Sequence, residues 1–177
     1  SIGHDCYLMA QAHVGHNSGD NEWYTPEPFI EAARACMGII DCDPASTEIA
    51  NRTVKAKQFF NKKDNGLIQE WNGNVWLNPP YAQPMIGFFA KAVSAKFEAH
   101  EIEQAIILVN NATETDWFAR MAAAASAICF PTSRIKFLDP KGEPGAPLQG
   151  QALIYLGKQR DTFAQEFSRF GFVLFKP

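Results

Sequence analysis

The tetrapeptide Asn78-Pro79-Pro80-Tyr81 is the stretch of this sequence best equipped for chemistry. It follows an apolar run, Val75-Trp76-Leu77, and precedes a helix-like stretch from Gln83 to about Ala99. An apolar run, a rigid turn and then a helix read as a strand ending at an active-site loop. Two consecutive proline rings fix the backbone and remove two N–H donors, so the Asn78 side-chain oxygen and the Pro79 carbonyl are both offered as acceptors. Such a pair suits an amino nitrogen whose lone pair is tied up by conjugation, as in the exocyclic amine of adenine or in a carboxamide. Drawing both hydrogens toward oxygen favours the pyramidal, attacking form of that nitrogen, and Tyr81 offers an aromatic face for a planar base. The chemistry is alkylation at nitrogen, with no covalent enzyme intermediate. The plain alternative is a stiff turn and nothing more.

Elements ahead of the tetrapeptide must bring binding groups to it. In Trp23-Tyr24-Thr25-Pro26, Thr25 is a good N-cap and Pro26 suits the first helical position of a run through about Met37. The free N–H groups and positive dipole end of that helix are also a seat for a ligand carboxylate. Gly38-Ile39-Ile40-Asp41 reads as a short buried strand that ends in Cys42-Asp43-Pro44-Ala45-Ser46 and feeds a helix from about Thr47 to Lys55. Strand, small-residue loop and helix form the nucleotide-binding half of an open α/β sheet, where a carboxylate at the strand's carboxyl end takes the two hydroxyls of a ribose. Asp41 or Asp43 is the candidate; capping of the next helix by Asp43 or Ser46 is an equal alternative. Gln58-Phe59-Phe60 reads as a short strand, and Asp64-Asn65-Gly66-Leu67 with Trp71 as a turn and a short helical piece. Asp64 either reaches the base of a cofactor or serves as a turn aspartate.

Beyond the tetrapeptide, Ala105-Ile106-Ile107-Leu108-Val109 is a continuous apolar run of the kind found in strands buried on both faces, which implies a parallel sheet. Asn110-Asn111-Ala112-Thr113 closes it, and an amphipathic helix is expected from Thr113 to Ala125. Ile128-Cys129-Phe130 and Ile135-Lys136-Phe137-Leu138 read as short strands. Asp139 to Gly150 carries three prolines and three glycines in twelve residues and reads as an exposed loop. Ala152 to Leu156 is a strand, and Phe163 to Phe170 followed by Phe172-Val173-Leu174-Phe175 gives a last helix and strand.

At 177 residues, 46% of them hydrophobic, the chain suffices for one domain with a full core, expected over residues 23–177 behind a flexible arm at 1–22. No apolar stretch approaches the roughly 20 residues of a membrane span, and the start lacks the pattern of a signal peptide. A cytoplasmic protein is expected, with Cys6, Cys36, Cys42 and Cys129 as free thiols. His4, Cys6, His13 and His16 fit no familiar zinc spacing, so no metal is expected. The net charge of −3 does not announce a nucleic-acid binder, yet Arg134, Lys136 and Lys141 lie close together and are candidates for one basic face.

Several of these residues agree on one family. Trp23-x-Thr25-Pro26, Asp41-x-Asp43-x-Ala45-Ser46 with Asn51 beyond it, Asp64-x-Gly66-Leu67, Trp71 and Asn78-Pro79-Pro80-Tyr81, in that order, resemble the phage-type DNA adenine N-methyltransferases. The resemblance covers roughly residues 20–157. It implies an S-adenosylmethionine-dependent enzyme on a Rossmann-like α/β fold, a doubly wound and mostly parallel sheet, acting on double-stranded DNA in a bacterial or phage-infected cytoplasm. By the same carry-over Asn78, Pro79, Pro80 and Tyr81 form the catalytic motif. Trp23, Thr25 and Pro26 then lie toward the methionine end of the cofactor, and Asp41, Asp43, Ala45, Ser46 and Asp64 lie around its nucleoside. Arg134, Lys136 and Lys141 face the DNA. The glycine-rich cofactor loop of the wider class is missing and only 35 positions separate Asp43 from Asn78, so the cofactor half is abbreviated. Rival readings are a protein-glutamine methyltransferase, a cytosine-N4 methyltransferase and a noncatalytic nucleic-acid-binding module.

Overall fold

A computed structural model describes residues 22–145 and 149–177. The arm expected over 1–22, apart from Glu22, lies outside the described residues, as do His4, Cys6, His13 and His16. The strands are β1 (Cys42–Asp43), β2 (Gln58–Phe59), β3 (Asn74–Leu77), β4 (Gln104–Asn110), β5 (Ala127–Pro131), β6 (Gln151–Leu156) and β7 (Gly171–Phe175). Between them run helices α1 (Glu27–Met37), α2 (Glu48–Val54), α3 (Met85–Glu98), α4 (Asp116–Ala124) and α5 (Arg160–Phe167), with a 3-10 turn at Gly66–Ile68.

All seven strands join one sheet in the order β2-β1-β3-β4-β6-β5-β7. Strands β1 to β5 run in one direction and β6 and β7 are reversed, since β6 pairs antiparallel with both β4 and β5, and β7 with β5. Apolar side chains of β4 alternate between two cores, which is why its sequence is an unbroken apolar run. Ala105, Ile107 and Val109 pack with α3 and α4, whereas Ile106 and Leu108 pack with α1 and α5. Helices therefore cover both faces, as in a Rossmann-like methyltransferase. Cys36, Cys42 and Cys129 are free and buried, and burial pushes each thiol up to about 12. Among the described residues no helix is long and apolar enough to cross a membrane, and no cluster of three metal-ligating side chains occurs.

Three local expectations are corrected. Thr25 does not cap α1: Pro26 occupies the N-cap position without a side-chain cap bond, and the helix begins at Glu27. The first strand sits later than the apolar run Gly38 to Asp41, at Cys42–Asp43, because the chain must first leave α1 through Gly38 at φ 90°. Ile135 to Leu138 is not a strand. Ile135 is buried as a plug, and only Leu138 pairs, in isolated bridges to Tyr24 and Pro144.

The chain winds outward from β1 to β2 and then returns to build β3 and β4 on the other side. The strand order thus reverses between β1 and β3. In open α/β sheets the crevice outside the carboxyl ends at such a reversal is where ligands bind.

Candidate active site

The loops leaving β1 and β3 open onto that crevice. The register sets Cys42 level with Val75, so Asp43 stands one residue short of Leu77 and the segments Pro44-Ala45-Ser46 and Asn78-Pro79-Pro80-Tyr81 emerge side by side. Asp41, one residue before Cys42, belongs to the opposite, amino-terminal edge. Its carboxylate accepts the Asn74 N–H at 2.7 Å and is 3.8 Å from Lys57 Nζ, which fixes the start of β3.

Asp43 is buried, at 2% exposure, and its Oδ1 accepts the Ala45 N–H at 3.3 Å. Burial, opposed by hydrogen bonds from Ala45 and Ser46, pushes the carboxyl up from 3.8 to about 7. The Asp43 loop is braced from behind by Gly66. A side chain there would meet the Pro44 carbonyl oxygen at 1.9 Å, so glycine is what lets the two segments touch. Trp71 secures the brace by donating Nε1–H to the Gly66 carbonyl at 2.7 Å. Asp64 closes a turn with Asn61 through two reciprocal bonds, Asn61 N–H to Asp64 Oδ2 at 3.0 Å and Asp64 N–H to Asn61 Oδ1 at 2.9 Å. Asn51 holds the end of α2 through the Ala56 main chain.

The central group is the Asn78 amide. Its Nδ2 donates to Thr25 Oγ1 at 3.1 Å, across 53 residues of sequence, and its Oδ1 accepts from the Tyr81 hydroxyl at 2.7 Å. Oδ1 keeps a second lone pair. Pro79 and Pro80 are buried and bring no N–H to the neighbouring strand, and the Leu108 carbonyl on β4 is met by the Tyr81 hydroxyl instead, at 3.1 Å. The Tyr81 ring packs against the α3/α4 core, and burial pushes its hydroxyl strongly up, so it stays protonated. A fourth group completes the cluster: Gln151 Oε1, at the first residue of β6, is 3.1 Å from the same hydroxyl, while Gln151 Nε2 donates to Asn110 Oδ1 at 2.9 Å. Gln151, Asn110 and the Leu108 carbonyl were not among the residues singled out by sequence. The available signals are a glutamine opening an otherwise apolar strand and the asparagine pair closing β4.

Thr25 reaches Asn78 because Tyr24 is stitched to Leu138 by two main-chain bonds, 2.7 Å and 2.8 Å. Trp23 lies against Gly145, whose missing side chain leaves room for the indole ring. The loop after Asp139 is thereby folded back over residues 23–25. Arg134, Lys136 and Lys141 are exposed. Arg134 and Lys136 follow β5, which runs parallel to β4, so they stand beyond the same carboxyl edge as Asn78. The structure therefore brings together Thr25, Asp43, Ala45, Ser46 and Asn78 to Tyr81 at one crevice, and sets Asp41 at the far edge and Asp64 in its own turn.

Residues 11–161 match the family model described as DNA N-6-adenine-methyltransferase (Dam). The chain is also 32% identical over 126 residues to a DNA N-6-adenine-methyltransferase of Escherichia phage T1, a match covering 68% of this chain and 50% of the phage protein. The chain thus spans about half the length of that relative.

Proposed function

We propose that this chain, which belongs to the DNA N-6-adenine-methyltransferase family, transfers a methyl group from S-adenosylmethionine to the exocyclic amine of an adenine in double-stranded DNA. The observation that carries the proposal is the Asn78 amide, gripped at both ends by Thr25 and Tyr81 and keeping one carbonyl lone pair at the ligand crevice of the sheet.

The residues at the β1 end fit a nucleoside-containing cofactor. Asp43 retains acceptor capacity beyond the Ala45 N–H, and burial, the cause of its raised pKa, leaves a carboxylate that further donors such as ribose hydroxyls stabilise. We assign the ribose to Asp43 rather than Asp41, whose carboxylate serves Asn74. Ala45 and Ser46 line the same loop, and Trp23, Thr25 and Pro26 approach from the methionine side. When bound, S-adenosylmethionine supplies an electrophilic methyl group on a sulfonium centre.

The chain's own part is to hold the amine. An adenine extruded from the duplex, at a cost of about a few kcal/mol, offers two N–H bonds to Asn78 Oδ1 and the Pro79 carbonyl. Those acceptors draw the hydrogens out of the base plane and stabilise the positive charge that grows on nitrogen as it attacks, until a proton is lost. Arg134, Lys136 and Lys141 hold phosphates, whose charge they match.

Asn78→Ala is expected to lower turnover by about 10²-fold or more while cofactor binding by calorimetry is largely kept. Near-normal turnover in that variant sinks the assignment of Asn78.

A further inference from the structure

The Tyr81 hydroxyl has one proton and three acceptors around it: Asn78 Oδ1 at 2.7 Å, the Leu108 carbonyl at 3.1 Å and Gln151 Oε1 at 3.1 Å. A hydroxyl satisfies one acceptor at a time. Gln151 cannot escape this competition by turning its amide over. Its Nε2 faces Asn110 Oδ1 at 2.9 Å and the Gln149 main-chain carbonyl at 3.4 Å, and a main-chain carbonyl only accepts, so Oε1 is committed to the Tyr81 side. As long as Tyr81 donates to Asn78, that amide oxygen is a weakened acceptor. Once the proton swings to another acceptor, Asn78 Oδ1 is free to take a hydrogen from the substrate at full strength.

We propose that Gln151 is a positioning residue: together with the Leu108 carbonyl it is an alternative acceptor that receives the Tyr81 hydroxyl proton and so releases the Asn78 carbonyl to the amine being methylated. The inference rests on the methyl-transfer reading of Asn78 given above. The step is a rotation of the hydroxyl about its C–O bond. No covalent bond is made or broken, and the proton stays on Tyr81 throughout. Gln151 never touches the substrate, and its orientation is in turn set by Asn110, at the end of β4. Two strands beyond β3 thereby tune a group that β3 delivers. Of the groups hydrogen-bonded to Gln151, only Tyr81 titrates, and burial holds its hydroxyl protonated.

Two substitutions test this on the full chain. Gln151→Leu leaves the Leu108 carbonyl as the one alternative acceptor and is expected to lower kcat by up to about tenfold, the size of one neutral hydrogen bond, with KM for S-adenosylmethionine within about twofold of the wild type. Gln151→Glu gives a sharper readout. Protonated, the carboxylic acid accepts from Tyr81 and donates toward Asn110 as glutamine does; ionised, it faces two oxygens and binds the Tyr81 proton permanently, so that the Tyr81 oxygen faces Asn78 with a lone pair. Because that is the state in which Asn78 Oδ1 is released, the kcat of that variant is expected near the wild-type value at low pH and to rise as pH rises, through an ionisation the wild type lacks. A Gln151→Leu enzyme with wild-type kcat, or a Gln151→Glu profile that superimposes on the wild type, overturns the proposal. Exchange of the Asn78 side-chain amide protons, followed by NMR in the wild type and in Gln151→Leu without substrate, is an independent readout: slower exchange is expected in the variant, because Tyr81 then donates to Asn78 Oδ1 more of the time and holds the amide, and an unchanged rate also overturns the proposal. A wild-type protein that methylates no DNA refutes the methyl-transfer reading instead, and the exchange rates then still decide whether Gln151 positions Asn78.

Discussion

An amide that is to accept from a substrate must not turn over, because the flipped group would offer donors where acceptors are needed. Thr25 prevents this at Asn78 by accepting from Nδ2, and the bond predicts a separation between two variants. Thr25→Val, which keeps the shape and loses the oxygen, is expected to lower turnover about tenfold, whereas Thr25→Ser restores most of it; steady-state rates at saturating cofactor measure the difference. Asp43 gives a prediction in pH. Its pKa rises from 3.8 to about 7 on folding, so between those values the folded chain binds the proton more readily than the unfolded one. Stability from this group is therefore lost as pH rises from about 4 to about 7, and Asp43→Asn is expected to remove that slope in melting temperature. Cofactor affinity runs the other way: hydroxyl donors favour the carboxylate, so calorimetric affinity is expected to rise through the same window in the wild type and to be weak and flat in Asp43→Asn. At this scale the placing of Asn78 to Tyr81 in a turn directly after a buried strand was legible, because two prolines after an apolar run end a strand. The different surroundings of Asp41 and Asp43 were not, since a two-residue spacing carries no information on which edge of a sheet each carboxylate meets. Gln151 was illegible for a related reason: its partners lie 41 and 70 residues away in sequence.

Elements hold these residues with little slack. Gly66 is the clearest case, because the brace it forms behind the Asp43 loop has no room for a methyl group. Gly66→Ala is expected to cost about 1–3 kcal/mol in chemical denaturation and to weaken cofactor binding, since the Pro44 carbonyl must move and carry Asp43 with it. Trp71→Phe, which deletes the donor to the Gly66 carbonyl, is expected to cost about 1 kcal/mol with a smaller effect on binding. Long periodic elements were readable in sequence: α3 and α4 fall where their apolar spacing puts them, and β4 is the buried strand its composition requires. Short ones were read unevenly: Gln58–Phe59 and the strand over Ile128–Phe130 are present, but one expected strand is not. Ile135 to Leu138 alternates like a strand, yet after Pro131 the chain serves as a strap that buries Ile135 and ties Leu138 to Tyr24, and alternation alone cannot distinguish a strap from a sheet edge. The reversal of β6 was equally hidden, because a fully buried strand reads as an apolar run in either direction.

For the molecule as a whole, the sheet does two things at once. Its two buried cores fix the carboxyl edge as a rigid rim, and the order reversal between β1 and β3 opens that rim where the Asp43 and Asn78 loops emerge. With a net charge of −3, the proposed attraction to DNA rests on a local face and not on the overall field. Replacing Arg134, Lys136 and Lys141 together by alanine is expected to weaken DNA binding at low salt. The same change is expected to flatten the dependence of log affinity on log salt by about 0.9 for each phosphate left unneutralised, while free cofactor binding is unchanged. The doubly wound α/β class was legible from the alternation of apolar runs and helical stretches. The convergence of Thr25, Asn78, Tyr81 and Gln151 belongs instead to the assembled sheet and to no window of sequence. The most direct test is incubation of the purified protein with unmethylated double-stranded DNA and labelled S-adenosylmethionine, followed by nucleoside digestion and mass spectrometry. Label in N6-methyladenine is the expected result. Label in N4-methylcytosine or in protein glutamine, or no label in any fraction, contradicts the assignment of this chain as an adenine methyltransferase.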